Sequence, residues 1–165
     1  MWRTLLLLCL VAPFAPAQQT QIGGTIGTGE FSSMHGSFTT AGVEVCVDCG
    51  GRFGFFMEYS HWWLTPPSGE TSVLDLAAGG LRIQGRNKHV RPFFDIGVSG
   101  GLYDGHPHDF VHKSENFGTG GIALGFGASV SIGSKLYVRP QVRIAGGVPN
   151  GVVMASASVG VGYRF

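Results

Sequence analysis

The stretch ASASVGVGYRF, residues 155–165, indicates the fold of this chain. Apolar side chains occupy every odd position and tiny or polar side chains occupy the even ones, and the stretch ends on the ring of Phe165. Such alternation over about ten residues is typical of a β-strand that crosses a membrane. The stretch therefore predicts a membrane-spanning terminal strand.

The composition of the whole chain supports an all-β protein. The length of 165 residues predicts one domain. Glycine accounts for 28 residues and charged residues for only 13%, whereas a soluble domain carries about twice that charged fraction. No apolar period of 3.6 residues is sustained, which argues against helices. Without Arg3, ten basic and ten acidic side chains remain, and this balance argues against nucleic-acid binding.

Residues 1–17 have the features of a signal peptide. Arg3 supplies a positive start, residues 5–11 form a short apolar core, and Ala15-Pro16-Ala17 is a small-x-small cleavage site. The apolar run is too short to span a bilayer. We expect export, with cleavage near Ala17 and residues 18–165 forming the mature domain.

Alternation elsewhere predicts seven further strands. Short and long connections alternate along the chain, and with an even number of strands both termini lie on the side of the short turns, the periplasmic side of an outer-membrane barrel. A change of phase at Gly79-Gly80 predicts a β-bulge, and Pro92 and Pro140 predict bulges or irregular pairing. The eight predicted strands are 19–28, 41–47, 53–63, 71–84, 90–100, 118–132, 136–145 and 155–165.

The face opposite the apolar one is mostly Gly, Ser and Ala, which suits the cramped interior of a closed eight-stranded barrel better than a solvated surface. Charges on this face require partners. We expect ion pairs that fill the lumen; alternatively, some of these charges lie near strand ends and meet water. The predicted network consists of Glu44, Glu58, Asp75 and Asp95 with Arg82, Arg139, Arg143 and Arg164. If the apolar face pointed inward instead, the chain would be a soluble barrel with an internal ligand site.

Aromatic residues cluster at both ends of the predicted strands. Tyr59, Trp62 and Trp63 lie on the loop side, and Phe53, Tyr163 and Phe165 lie on the turn side. Amphipathic rings prefer the headgroup level of a bilayer, so two girdles are expected. The alternative is the ordinary preference of aromatic residues for strands.

Three stretches carry a family resemblance: VRPFFDIG at 90–97, SKLYVRPQVR at 134–143 and the terminal GYRF at 162–165. They resemble the small bacterial outer-membrane barrels of the OmpA and OmpX type. The resemblance implies an eight-stranded, antiparallel, up-and-down transmembrane β-barrel over residues 18–165 with a filled interior. It further implies that outer-membrane lipid and the barrel assembly machinery are partners, with Tyr163 and Phe165 as the assembly signal, and that no cofactor is needed.

The resemblance implies a structural or surface-interaction role carried by extracellular loops, with an unidentified surface partner. A narrow porin-like channel and a lipid A-modifying enzyme are the alternatives. His112-Lys113-Ser114 resembles the His-x-Ser of lipid A deacylases of the PagL type. In that family, however, the motif lies on a late strand, whereas the late strand here reads RPQVR at 139–143.

Two other groups of residues could carry chemistry. His106, His108, Asp109 and His112 could hold a borderline metal such as zinc or copper; the alternative is a polar surface loop. Cys46 and Cys49 could form a disulfide in the first short turn after export, or remain free thiols.

Overall fold

The computed structural model describes residues 19–31, 34–65, 72–104, 116–148 and 153–165, which form eight strands. Each strand pairs with its neighbours in the chain, and β1 pairs with β8, so the sheet closes. All pairs are antiparallel, which confirms the predicted up-and-down barrel. No helix among these residues is long and apolar enough to cross a membrane. The strands are β1 (Gln21–Phe31), β2 (Met34–Val47), β3 (Phe53–Thr65), β4 (Ser72–Gln84), β5 (Val90–Asp104), β6 (Asn116–Ile132), β7 (Leu136–Val148) and β8 (Val153–Arg164).

The pairing defines the stagger of the barrel. A row of directly paired residues that starts at Phe53 on β3 runs around the wall and returns to β3 at Trp63, ten residues further along. A stagger of this size means that the strands are strongly tilted to the barrel axis. The row passes through Ile83, Phe94, Phe126, Val142, Ala157, Thr28 and Thr39.

The strands are longer at the loop end than the sequence predicts. Most of the predicted loop 29–40 continues β1 and β2, with Gly29 paired to Phe38 and Glu30 to Ser37. Strand β6 has 17 residues, whereas about 9–11 suffice to cross a bilayer. The alternation between apolar and polar residues fades outside the apolar band, but ladder pairing continues, so the pattern underestimates the strands here.

The predicted bulge at Gly79-Gly80 is wrong. Gly79 pairs with Met57 and Val98, and the register continues unchanged on both sides. Gly80 instead permits a close approach between β4 and β5, because a Cβ atom on this residue would lie 2.5 Å from the Cα atom of Gly97. The faces of β4 therefore do not exchange along the strand.

The two strand prolines lie in regular register. Pro92 pairs with Ala128, and its carbonyl accepts a hydrogen bond of 2.8 Å from the Gly85 amide, just beyond the last β4–β5 pair. Pro140 pairs with Val159 on β8, while the pairs that would join residues 139 and 140 to β6 are missing. The missing N–H thus leaves only a local gap on one side of β7, without a shift of register.

The barrel has an inverted distribution of polarity compared with a soluble protein. Large apolar side chains point outward, with Ile26 71% and Val98 70% exposed, whereas Asp95 and Arg82 point inward and are 0% and 1% exposed. This arrangement agrees with an apolar face in contact with lipid and with charged side chains inside the lumen. It argues against the alternative of an internal apolar ligand site.

Candidate functional site

Four apolar side chains from β2, β3 and β4 occupy part of the loop-side half of the lumen. We call Phe38, Trp62, Leu74 and Leu76 the apolar layer; all four are buried. The rings of Phe38 and Trp62 stack with centroids 4.3 Å apart, and the indole N–H of Trp62 donates to the Ser60 hydroxyl at 2.7 Å. Trp62 therefore does not belong to the predicted outer girdle, since its side chain points into the lumen. Tyr59 and Trp63 do point outward.

Below the apolar layer lies a set of buried charges that we call the ionic cluster: Glu44, Glu58, Arg82, Asp95, Arg139 and Arg143. Arg82 on β4 is at its centre. Its Nε atom donates to one oxygen of Asp95 and its Nη2 atom to the other, both at 2.7 Å. Its Nη1 atom donates at 2.7 Å to Glu44. One guanidinium thus joins two carboxylates in the fork geometry that suits arginine.

The other two arginines connect β7 to the opposite side of the barrel. Arg139 donates to Glu44 on β2 and, at 2.9 Å, to the amide oxygen of Gln21. Arg143 donates to Glu58 on β3 and, at 3.0 Å, to Asp95. The ionic cluster therefore ties together walls that are far apart in the strand order.

The ionic cluster is balanced in charge, with three carboxylates facing three guanidiniums. Burial of an unpaired charge costs several kcal/mol, so this balance stabilises the ionic cluster inside the lumen. The ring of Phe93 supports two of the guanidiniums, with centroid distances of 4.2 Å to Arg82 and 5.4 Å to Arg139. Gly125 leaves room for Asp95, since a Cβ atom there would lie 3.3 Å from the aspartate side chain.

Two residues of the predicted network lie elsewhere. Asp75 points outward, because β4 has no bulge and its odd positions all face away from the lumen. Arg164 points inward, but its Nη1 atom donates to the Ser131 hydroxyl at 2.7 Å rather than to a carboxylate. Arg91, which does not belong to the predicted network, also lies on the lumen side, where it donates to the carbonyls of Cys49 and Gly50.

The first short turn closes the turn end of the lumen. Cys46 and Cys49 are joined in a disulfide, and both are fully buried against Phe56. Asp48 adopts a left-handed φ of 60°, which turns Cys49 inward. The Cys49 carbonyl accepts side-chain hydrogen bonds from Gln21 at 2.9 Å, Gln84 at 2.6 Å and Arg91 at 3.2 Å. The turn is therefore tied to β1, β4 and β5.

A second polar group lies on the outer wall, and we call Tyr59, His61 and Asp75 the outer-face cluster. The Tyr59 hydroxyl donates to Asp75 at 2.6 Å, and the Nδ1 atom of His61 lies 2.7 Å from the same carboxylate oxygen. The side chains of His61 and Asp75 are 33% and 43% exposed. Since the surrounding outward residues are largely apolar, this cluster places polar groups on an otherwise apolar part of the wall.

The aromatic residues at the turn end include the predicted assembly signal. The rings of Tyr163 and Phe165 contact edge to face at 5.0 Å, and Phe165 is exposed on the outside. Lys135, in the β6–β7 turn, lies with its ammonium 5.6 Å from the centre of the Tyr163 ring, and the hydrogen bond that this ammonium donates to the Tyr163 hydroxyl raises the pKa of Lys135. Phe53 also points outward.

Several other predictions fall outside the described residues. These are the signal peptide, the metal candidates His106, His108, Asp109 and His112, and the His112-x-Ser114 motif. Within the described ranges, no group of three or more His, Cys, Asp or Glu residues could hold a metal ion.

Sequence reasoning missed the uncharged partners of the ionic cluster. Gln21, Phe56, Phe93 and Ser129 all line the lumen and are buried. The two-residue alternation along each strand places these residues on the inner face, so the sequence indicates that their side chains point into the lumen. The sequence does not indicate which members of the ionic cluster they contact, because these contacts depend on the stagger between strands that are distant in sequence.

In sequence, no protein-family model and no curated protein matches this chain. In structure, the chain is similar to Neisserial surface protein A (NspA), with a TM-score of 0.63, 13% identity and coverage of 90% of this chain and 97% of that one. It is also similar to Ail, the attachment invasion locus protein of Yersinia pestis, with a TM-score of 0.60, 12% identity and coverage of 90% and 97%.

The N-terminal β-barrel domain of Pseudomonas aeruginosa OprF is a third neighbour, with a TM-score of 0.60, 11% identity and coverage of 90% and 99%. At these identities the likeness establishes the fold. The predicted resemblance to small bacterial outer-membrane barrels is thereby confirmed at the level of architecture.

Proposed function

We propose that this chain is an integral protein of the bacterial outer membrane, whose filled barrel holds extracellular loops that make contacts at the cell surface. The observation that carries this proposal is the closed lumen. The ionic cluster joins β2, β3, β4, β5 and β7, and the apolar layer covers it on the loop side. A barrel of this kind is an anchor rather than an aqueous path.

The outer wall suits hydrocarbon. Outward residues such as Ile26, Val98, Ile122 and Val161 are exposed and apolar, and closure of the sheet satisfies the backbone groups that lipid cannot hydrogen-bond. In this proposal, outer-membrane lipid surrounds the barrel and residues 1–17 direct export. The barrel assembly machinery recognises Tyr163 on β8 and Phe165 directly after it.

The loop end is where surface contacts would be made. Strands β2, β5 and β6 have 14, 15 and 17 residues, so they extend past the apolar band at that end. Two of the structural neighbours are described as a surface protein and as an attachment invasion locus protein, the latter in complex with a heparin analogue. These descriptions support a surface role for this chain.

The test combines location, folding and conductance. We expect the protein in the outer-membrane fraction, with a change of gel mobility on boiling, and no stable conductance steps in planar bilayers. Recovery from the soluble periplasm without a mobility change would reject the membrane assignment. Stable unitary conductance steps would show that the protein is a narrow channel and not an anchor. A changed lipid A mass after expression would favour a lipid A-modifying enzyme.

A further inference from the structure

The turn end of the barrel is basic. The three short turns span residues 48–52, 85–89 and 133–135; among these residues four cationic side chains are exposed, and Asp48 is the one carboxylate side chain. In an outer-membrane barrel the short turns face the periplasm, so this positive charge lies at the periplasmic leaflet. The four exposed cations are Arg52, Arg86, Lys88 and Lys135.

Two of these cations border one recess in the outer wall, which we call the turn-end recess. It has a volume of about 610 Å³, and both Arg52 and Arg86 line it. Its apolar lining includes Ile83, Pro92 and Phe94, which all lie at outward positions of β4 and β5. The turn-end recess therefore combines two guanidinium groups with a surface that faces lipid.

Backbone hydrogen bonds hold the two arginines next to each other. The Gln84 amide donates to the Arg52 carbonyl at 2.9 Å. The Gly85 amide donates to the Pro92 carbonyl at 2.8 Å, so the ladder continues up to the residue before Arg86. Arg86 is thus a diagonal neighbour of Arg52, a relation in which the residues are about 7–8 Å apart and long side chains can meet. One phosphate group is within reach of both guanidiniums.

These two guanidiniums are not neutralised by the protein. Neither Arg52 nor Arg86 forms an ion pair with a carboxylate among the residues that the structure describes. Arg91 differs, because its guanidinium donates to the carbonyls of Cys49 and Gly50. The turn-end recess therefore presents positive charge that an anion can neutralise.

The turn-end recess lies at the level where lipid headgroups begin. Phe53 is the first residue of β3 and points outward, and the Arg52 guanidinium lies 5.7 Å from the centre of its ring. Arg86 is three residues beyond the outward Ile83, or about 10 Å along an extended chain. Both cations thus lie at the edge of the apolar band, where a lipid phosphate would be found.

We propose that the turn-end recess binds one molecule of phosphatidylglycerol from the periplasmic leaflet. Arg52 and Arg86 donate hydrogen bonds to its phosphate, in the geometry that suits a guanidinium, and an acyl chain lies along Ile83 and Phe94. This inference rests on the membrane location given under Proposed function. Phosphatidylglycerol carries a net negative charge, whereas the ammonium of phosphatidylethanolamine offsets its phosphate and would be repelled by the basic turns.

The site is tested by counting the lipids that stay on the folded barrel. The full chain is refolded into phosphatidylcholine nanodiscs that contain small, equal shares of phosphatidylglycerol and phosphatidylethanolamine with the same acyl chains. Native mass spectrometry then measures the lipid retained after the barrel is released. We expect one phosphatidylglycerol to be retained about tenfold more often than phosphatidylethanolamine. Equal retention of these two lipids would overturn the proposal.

Two double variants remove the same charge from different places at the turn end. Arg52→Gln combined with Arg86→Gln removes both guanidiniums of the turn-end recess, and the tenfold preference should disappear. Lys88→Gln combined with Lys135→Gln removes two exposed cations outside the recess and should leave most of the preference. An equal loss in the two double variants would mean that only the overall charge attracts the lipid, and it would contradict a defined site.

A shift of gel mobility on boiling shows that each variant is folded before lipids are counted. A wild-type chain that never gives a folded, membrane-inserted barrel would contradict the proposed function itself. A folded, inserted barrel that does not prefer phosphatidylglycerol would contradict only the lipid site.

Discussion

Asp95 and Asp75 lie on neighbouring strands but on opposite faces of the wall. Asp95 is fully buried and accepts hydrogen bonds from Arg82 and Arg143, within a set of charges that balance one another. Asp75 is partly exposed, and its partners are a tyrosine and a histidine on the adjacent strand. The same type of side chain therefore helps to close the lumen at Asp95 and lies on the lipid-facing surface at Asp75. The direction of the side chain, inward or outward, decides which of these two places the carboxylate occupies.

Loss of the buried carboxylate should have the largest effect. Asp95→Ala leaves the Nε/Nη2 edge of Arg82 without its partner and removes one partner of Arg143. We expect the free energy of unfolding to fall by about 3–5 kcal/mol, because an uncompensated charge stays in the lumen. Urea unfolding of the refolded barrel in vesicles measures this. Arg86→Ala, at an exposed position of the β4–β5 turn, is the control, and an equal loss in both variants would show that the ionic cluster does not hold the lumen together.

The disulfide between Cys46 and Cys49 lies in the turn between β2 and β3, at the turn end of the lumen. Replacement of Cys46 and Cys49 by serine frees a loop with a sequence separation of 3. Loop entropy alone predicts a loss of about 2 kcal/mol. Urea unfolding with and without reductant measures it, and the reductant should shift the wild type but not the double variant. An equal shift in both proteins would mean that the bond contributes nothing to stability.

Loss of the outward carboxylate should matter much less. Asp75→Ala removes two hydrogen bonds at an exposed site, so the free energy of unfolding should fall by about 1 kcal/mol or less. The same urea series that includes Asp95→Ala supplies the comparison. If Asp75→Ala were as destabilising as Asp95→Ala, the distinction between a buried carboxylate that stabilises the lumen and an exposed carboxylate on the outer wall would fail.

The smallest effect is expected from a buried hydroxyl. The Tyr137 hydroxyl is buried without a hydrogen-bond partner among the described residues, although its ring supports Arg139 and Arg164. Tyr137→Phe keeps the ring, so the free energy of unfolding should stay within about 1 kcal/mol of the wild type or rise. A larger loss would reveal a partner for the hydroxyl, such as a water molecule in the lumen.

The sequence predicts the architecture well because two-residue alternation survives at almost every point of the wall. It predicts the faces of β2, β3, β5, β7 and β8, and with them the inward positions of Glu44, Arg139 and Arg143. A strand pattern reports which way a side chain points, and this is set locally by the backbone.

The sequence misleads where apolar residues face the lumen. Leu74 and Leu76 are apolar and point inward, so the assumption that apolar residues face lipid required a change of phase at Gly79-Gly80 and placed Asp75 inside. The same assumption predicts Trp62 in the outer girdle, whereas its side chain points into the lumen. The contacts of the ionic cluster were also beyond reach, since they depend on the stagger of the whole barrel and not on any one strand.

The ten-residue stagger has a consequence for the bore of the barrel. In a closed sheet the offsets of all the hairpins add up to one total, so a slip in any hairpin would change the diameter everywhere. The bonds that Arg82 makes to Asp95 and Glu44 tolerate only a few tenths of an ångström. The ionic cluster therefore selects one barrel diameter, because a barrel with any other circumference would hold these side chains too far apart or too close together to form their hydrogen bonds.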